Sequence, residues 1–235
     1  MSRLRPTAAA VAEAAVVATI AAGLVGVLRQ RAEAQAVRRG ELPSASATAE
    51  VAPRREPGGL ARRIATWVPD APSSPAGRLA AALWAGPLTL TGAALALLAG
   101  RRPQWDPHLR CFVVRGMRGP SAMALRSVGA DANTVGQVVL SHREQPAPGL
   151  LAHEAVHARQ AERLGVLLVP LYAWLAARYG YRDHPLERAA RLGARRGQPP
   201  RSPVAPQPSA PSSPSGSGSP APGSGDTSAS APPGC

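Results

Sequence analysis

Two long apolar runs stand out in the first hundred residues. Residues 8–28 are apolar except for Glu13 and Thr19, with Arg3 and Arg5 before them and Arg29 and Arg31 after. Residues 79–100 carry no charge, and Arg78 and Arg101/Arg102 bound them. At about 1.5 Å per helical residue either run reaches about 30 Å, the thickness of a bilayer's hydrocarbon core. The second run is the stronger transmembrane candidate, and its Pro87 is a kink site of a kind that membrane helices tolerate. In the first, Glu13 would be costly in lipid unless near the interface or paired, so a span, a signal anchor and a soluble or surface-lying alanine helix all stay open. Arginine on both flanks of the second run leaves its orientation undetermined.

Between the runs, residues 38–78 show neither a period of 2 nor of 3.6 and read as a flexible linker, with a short amphipathic helix at 60–67. Downstream, Cys111-Phe112-Val113-Val114 reads as a strand. Residues 134–141 read as a second, with Gly136 inside it, and residues 123–128 as a third, weaker one, which together predict a small antiparallel sheet. Helices follow at 150–164, stopped by Gly165, and at 166–179, where Pro170 is tolerable only near the first turn. The last helix starts at Pro185, with Asp183 or His184 as its cap and Glu187 near its third position.

Composition narrows the classes. Phe, Trp and Tyr number only 8 in 235 residues, which excludes a large aromatic core. Two cysteines, Cys111 and Cys235, exclude a disulfide scaffold and an all-cysteine metal site. The net charge of +13 is all arginine, with no recognised nucleic-acid module and few aromatics for stacking, so no nucleic-acid partner is expected. Residues 198–235 hold 11 Pro, 10 Ser and 5 Gly, with almost nothing apolar to bury, and read as a disordered tail.

One motif carries chemistry. His153-Glu154-Ala155-Val156-His157 is HExxH inside the predicted helix. Histidines one turn apart project from the same face and can hold one zinc ion, while Glu154 can serve as general base toward water. Chance placement of 5 histidines and 9 glutamates yields this pattern about 0.004 times, which argues against accident. A catalytic zinc takes three protein ligands, and no third histidine follows closely. Glu187, on a later helix, is the leading third-ligand candidate, although a capping role would also account for it; Asp183 and His184 are rivals. His108 and His142 read as surface or loop histidines. Gln160 and Arg159 can support the ligands from outside or form local helix contacts. Tyr172, Tyr179 and Tyr181 are candidate electrophiles among which the sequence does not choose.

Residues 132–190 resemble a bacterial family of membrane-associated HExxH proteins. The likeness is carried by Thr134, Gly136 and Val138-Val139-Leu140, then by His153, Glu154, Val156, His157, Arg159, Gln160, Glu162 and Gly165. It continues through Pro170, Tyr172, Tyr181, Arg182, Asp183, Pro185, Glu187 and Ala189. The resemblance implies a gluzincin-like core with a glutamate ligand at Glu187 and a zinc metallopeptidase activity in a bacterial membrane. The chain departs from the family pattern at Gln137, where a histidine is usual, at Ala161 in place of a tyrosine, and at His184 in place of an asparagine. Those departures bear on substrate binding and leave the zinc ligands intact.

The expected architecture is α+β: a small zincin-like domain of helices with a short antiparallel sheet, preceded by one or two transmembrane helices. Its parts are an apolar helix and candidate anchor at 1–37, a linker at 38–78, a transmembrane helix at 79–100, an HExxH domain at 101–197 and the tail at 198–235. The expected function is a membrane-associated zinc peptidase acting on a peptide or protein. The competing expectation is a non-enzymatic membrane protein with a structural or vestigial zinc site.

Overall fold

The computed structural model describes residues 8–43, 47 and 57–197, with the side chains of 8–12 excluded. The expected tail at 198–235 and its Cys235 lie outside the described residues. Helix α1 (Ala8–Arg38) runs beyond the apolar stretch, because the Arg, Gln, Ala and Glu that follow are good helix formers. A short α2 (Gly59–Ala65) precedes α3 (Pro75–Leu98), which Ser74 caps by accepting a hydrogen bond from the Gly77 amide at 3.0 Å. Strands β1 (Gln104–Asp106) and β2 (Cys111–Val114) come next, then α4 (Gly119–Ser127), β3 (Ala132–Val135) and β4 (Val138–Ser141). The chain closes with α5 (Pro148–Leu164), one 3-10 turn (Gly165–Leu167), α6 (Leu168–Tyr179) and α7 (Pro185–Arg196).

Three expectations need correction. Residues 123–127 belong to helix α4, with Val128 as its C-cap, and not to a strand, since Gly119-Pro120 places proline in the first helical turn. Residues 134–141 are a hairpin and not one strand. Gly136 turns the chain with φ +63°, and α3 lies so close that a Cβ there would come within 2.3 Å of the Thr89 amide. The sheet is mixed, ordered β1-β2-β4-β3: β1 and β3 pair antiparallel with their neighbours, but β2 and β4 run parallel. The parallel pair needs a crossover, which α4 and β3 supply.

Alternation along β2 sorts the core into two layers. Val114, Val138 and Leu140 pack with Ala96 of α3 and Ala122 of α4 on one face. Cys111, Val113 and Val139 pack with Ala158 of α5 on the other. The central β4 is buried along its whole length, between the layer packed on α3 and the layer packed on α5.

Two helices are long and apolar enough to cross a membrane: Glu13–Arg38 within α1 and Pro75–Leu98, with only 6% and 22% of their most apolar windows buried. Both support membrane association. The packing of α3 is inverted relative to a soluble core helix. It buries Ala81, Ala85, Gly92 and Ala96 against the domain and exposes Leu79, Leu83, Leu90, Leu97 and Leu98. Small residues inward and leucines outward is the pattern of a helix whose outer solvent is lipid. Helix α1 packs beside α6, where a Cβ on Gly26 would meet Ala176 at 2.8 Å.

Candidate metal centre

Helix α5 begins with Pro148 in its first turn and ends at Gly165, whose φ of +54° no other residue adopts cheaply. Between those stops the one-turn spacing puts His153 and His157 on the same face, both buried. Helix α7 brings the third group. His184 caps it, its Nδ1 accepting from the Leu186 amide at 3.2 Å, and that start places Glu187 one turn in, facing α5. Among the described residues, His153, His157 and Glu187 form the one cluster able to offer three ligand atoms to a single ion.

The geometry is compact. His153 Nε2 lies 3.2 Å from Glu187 Oε2, His157 Nε2 lies 3.2 Å from Glu187 Oε1, and the two Nε2 atoms are 3.2 Å apart. Outside contacts fix the rings. His157 Nδ1 donates to Gln160 Oε1 at 2.8 Å, and the Gln160 amide is itself oriented by donating to the Leu186 carbonyl at 3.4 Å. His153 Nδ1 donates to the Ala47 carbonyl at 3.2 Å. With both Nδ1 atoms protonated, each Nε2 presents a lone pair. Three lone-pair donors that converge repel one another unless a proton or cation sits among them.

The donor set fits zinc. Bonds of about 2.0–2.1 Å in a tetrahedron separate ligand atoms by about 3.3 Å, close to the spacings here, and two imidazoles with a carboxylate are a known zinc set. The electrostatics agree. Burial disfavours the charge on Glu187, yet His157 and His153 outweigh it and hold the carboxyl well below its usual range. Burial also opposes the charged form of His157, and Glu187 outweighs it, pushing the imidazole up to about 9. The cage favours positive charge at its centre.

Glu154 lies beside the cluster and lines the same cavity, of about 470 Å³, as His157 and Glu187. Its Oε2 accepts a hydrogen bond from Thr134 Oγ1 at 2.6 Å, which aims the carboxylate from strand β3. Tyr172 on α6 donates to Glu187 Oε1 at 2.6 Å and also lines the cavity; Tyr181 lines the cavity as well, with Glu187 raising its pKa.

The rival ligands stand elsewhere. Both ring nitrogens of His184 are committed, one to the cap and the other donating to the Tyr172 carbonyl at 3.1 Å, and burial holds its pKa down at about 4. Asp183 is outside the cluster. His142 pairs with Asp131 at 3.2 Å, away from it. Arg159 hydrogen-bonds to Glu162 and to the Leu109 and Arg110 carbonyls, and so ties α5 to the β1–β2 loop. Gln137 donates to Glu162 at 2.6 Å from the position where the resembling family carries a histidine.

Two contacts had no functional signal in the sequence. Thr134 stood out only through the family resemblance, with no role attached. Ala47 sits in a stretch read as linker, and a backbone carbonyl leaves no mark on composition or spacing. Comparison with family models, curated proteins and solved structures finds no match to this chain.

Proposed function

We propose that this protein is a membrane-associated zinc peptidase in which His153, His157 and Glu187 hold the ion and Glu154 is the general base. The observation that carries the reading is the cavity shared by His157, Glu187 and Glu154. A structural site closes all four positions with protein and has no use for a buried carboxylate alongside, whereas a catalytic site keeps one side accessible. That contrast favours peptidase over the structural-zinc alternative.

Zinc bound there supplies Lewis acidity, lowering the pKa of water and polarising a carbonyl oxygen. The chain's own groups do the rest. Glu154, aimed by Thr134, takes a proton from the attacking water and returns it to the leaving amine. Gln160 and the Ala47 carbonyl keep the two imidazoles in the tautomer that leaves Nε2 free, as supporting groups commonly do for ligating histidines. Tyr172 holds Glu187 in orientation through its hydroxyl.

The test is hydrolysis of a mixed peptide library by the full chain in proteoliposomes, with Glu154→Gln as comparison. Equal zinc in the two proteins with cleavage falling by about 10²–10⁴ in the variant supports the assignment, the range expected for a general base. Equal cleavage by both would remove Glu154 from the chemistry, and no cleavage by the zinc-loaded wild type would leave the structural reading.

A further inference from the structure

The cavity at the metal cluster is walled by the helices that are long enough to cross a membrane. Val27 and Arg31 of α1 and Leu95 of α3 line it, opposite Leu125 and Val128 at the α4 end. Apart from the cluster and Glu154, Arg31 is its one charged lining residue among the described residues. Its Nη2 donates to Ser127 Oγ at 3.2 Å, bridging α1 to α4 across the cleft.

The lining continues into the exposed apolar surface. On α1, Ile20, Leu24, Val27 and Arg31 follow one another at i, i+4, i+7 and i+11, one helical face. Leu24 is 62% exposed within the apolar run, while Val27 and Arg31 are at the cavity. On α4, Met123 is 66% exposed beside the lining residue Ala124. On α3, Leu97 and Leu98 are exposed just past Leu95. The mouth of the cleft therefore has an apolar rim on three elements, two of them of membrane length. The cavity's level along α1 is where the apolar run gives way to Arg29 and Arg31, the level of headgroups for a helix in a bilayer.

We propose that the cleft takes its substrate sideways from the bilayer: a membrane-resident apolar peptide segment that enters between α1 and α4, with Arg31 meeting its polar or anionic end. A cleft for soluble peptides has no need of a rim of Val, Leu and Met continuous with a lipid-facing surface, and such a rim exposed to water would invite aggregation. The inference rests on the peptidase reading for its chemistry but not for its geometry.

The test is photocrosslinking in phosphatidylcholine vesicles, with p-benzoylphenylalanine at Leu125 in the full Glu154→Gln chain. A second version carries the probe at Val128 in case the first misfolds, and a reference carries it at Leu83 on the outer face of α3. Two biotinylated peptides of about 20 residues are offered, a Leu/Ala transmembrane peptide and a soluble Gly/Ser/Ala peptide. The expected result is capture of the transmembrane peptide at the cleft position about tenfold above the soluble one, and well above the Leu83 reference. Equal or better capture of the soluble peptide, or capture at the cleft no greater than at Leu83, overturns the proposal. Hydrolysis is read separately on the zinc-loaded wild type. Cleavage of the soluble peptide alone sinks the membrane substrate and leaves the peptidase standing; capture of the apolar peptide without cleavage of either sinks the peptidase and with it the substrate assignment.

Discussion

Helices α5 and α3 lie on opposite faces of the same small sheet and invert the usual rule in opposite ways. Helix α5 buries His153, Glu154, His157, Arg159, Gln160 and Glu162. Helix α3 buries alanine and glycine and leaves leucines outside, Leu83 being 70% and Leu90 73% exposed. Charged groups inside and leucines outside are each unfavourable in a water-soluble domain. In α5 the charges have partners: Glu187 for the histidines, Arg159 for Glu162, Gln160 for His157. On α3 the leucines form a face of the kind a bilayer would cover. The difference teaches that polar burial marks the site, while apolar exposure marks the medium around it.

The contrast breaks most sharply on α5. Arg159→Met leaves the Glu162 carboxylate buried with Gln137 as its remaining donor among the described residues, and should cost about 3–5 kcal/mol of unfolding free energy measured by denaturant titration in detergent. Adding Glu162→Leu should recover much of that loss, because removing both charges removes the desolvation problem. A single-variant cost below 1 kcal/mol, on the order of a surface ion pair, would show that the burial does not matter.

On α3 the corresponding change is Leu90→Arg. Facing water it would shift stability by less than about 0.5 kcal/mol. Facing the centre of a bilayer it should cost about 2.5–3.5 kcal/mol and lower the membrane-inserted fraction in a translocation assay. An unchanged inserted fraction would return α3 to the ordinary surface of a soluble domain.

Smaller effects sharpen the site. Gln160→Ala frees the His157 ring and should weaken zinc binding by about 10–100-fold in a competitive chelator titration, without removing a ligand. Acidity separates the metal-free from the loaded protein. Without metal, His157 is raised and Glu187 lowered relative to their unfolded values. The histidine's contribution is complete below its unfolded value of about 6.5 and is lost as pH rises toward about 9. The glutamate's contribution is present above its unfolded value and is lost as pH falls through the lowered one. Chelator-treated protein should therefore melt at lower temperature at pH 9 than at pH 6. Zinc-loaded protein should show no such fall across that window, since the ion competes with the proton. Parallel curves would place the titration elsewhere.

Much of the site was legible because it depends on local punctuation. Four-residue spacing on a helix locates His153 and His157 without tertiary knowledge, and the start at Pro185 makes Glu187 a candidate beside Asp183 and His184, among which the fold brings Glu187 to the histidines. The sheet was less legible. Pairing β2 with β4 in parallel joins strands with α4 and β3 between them, and strand composition does not say which partner is chosen. Residues 123–128 carried a strand-like pattern that the start at Pro120 overrode. Least legible was the docking of α1. Its Glu33 accepts from the Arg182 amide at 3.1 Å, and Gly180, at φ +71°, leaves room for that carboxylate. The Ala47 carbonyl reaches His153 across 106 residues of sequence. Contacts this distant, made through backbone atoms, have no periodicity to read.

The central claim is that two histidines of α5 and one glutamate of α7 hold a single zinc ion. The direct measurement is elemental analysis of the purified full chain beside His153→Ala and Glu187→Ala, each after zinc supplementation and buffer exchange. The account predicts about one zinc per chain in the wild type and almost none in either variant, in keeping with a three-ligand site. Absence of zinc from the wild type, or retention of a full equivalent by Glu187→Ala, would contradict it.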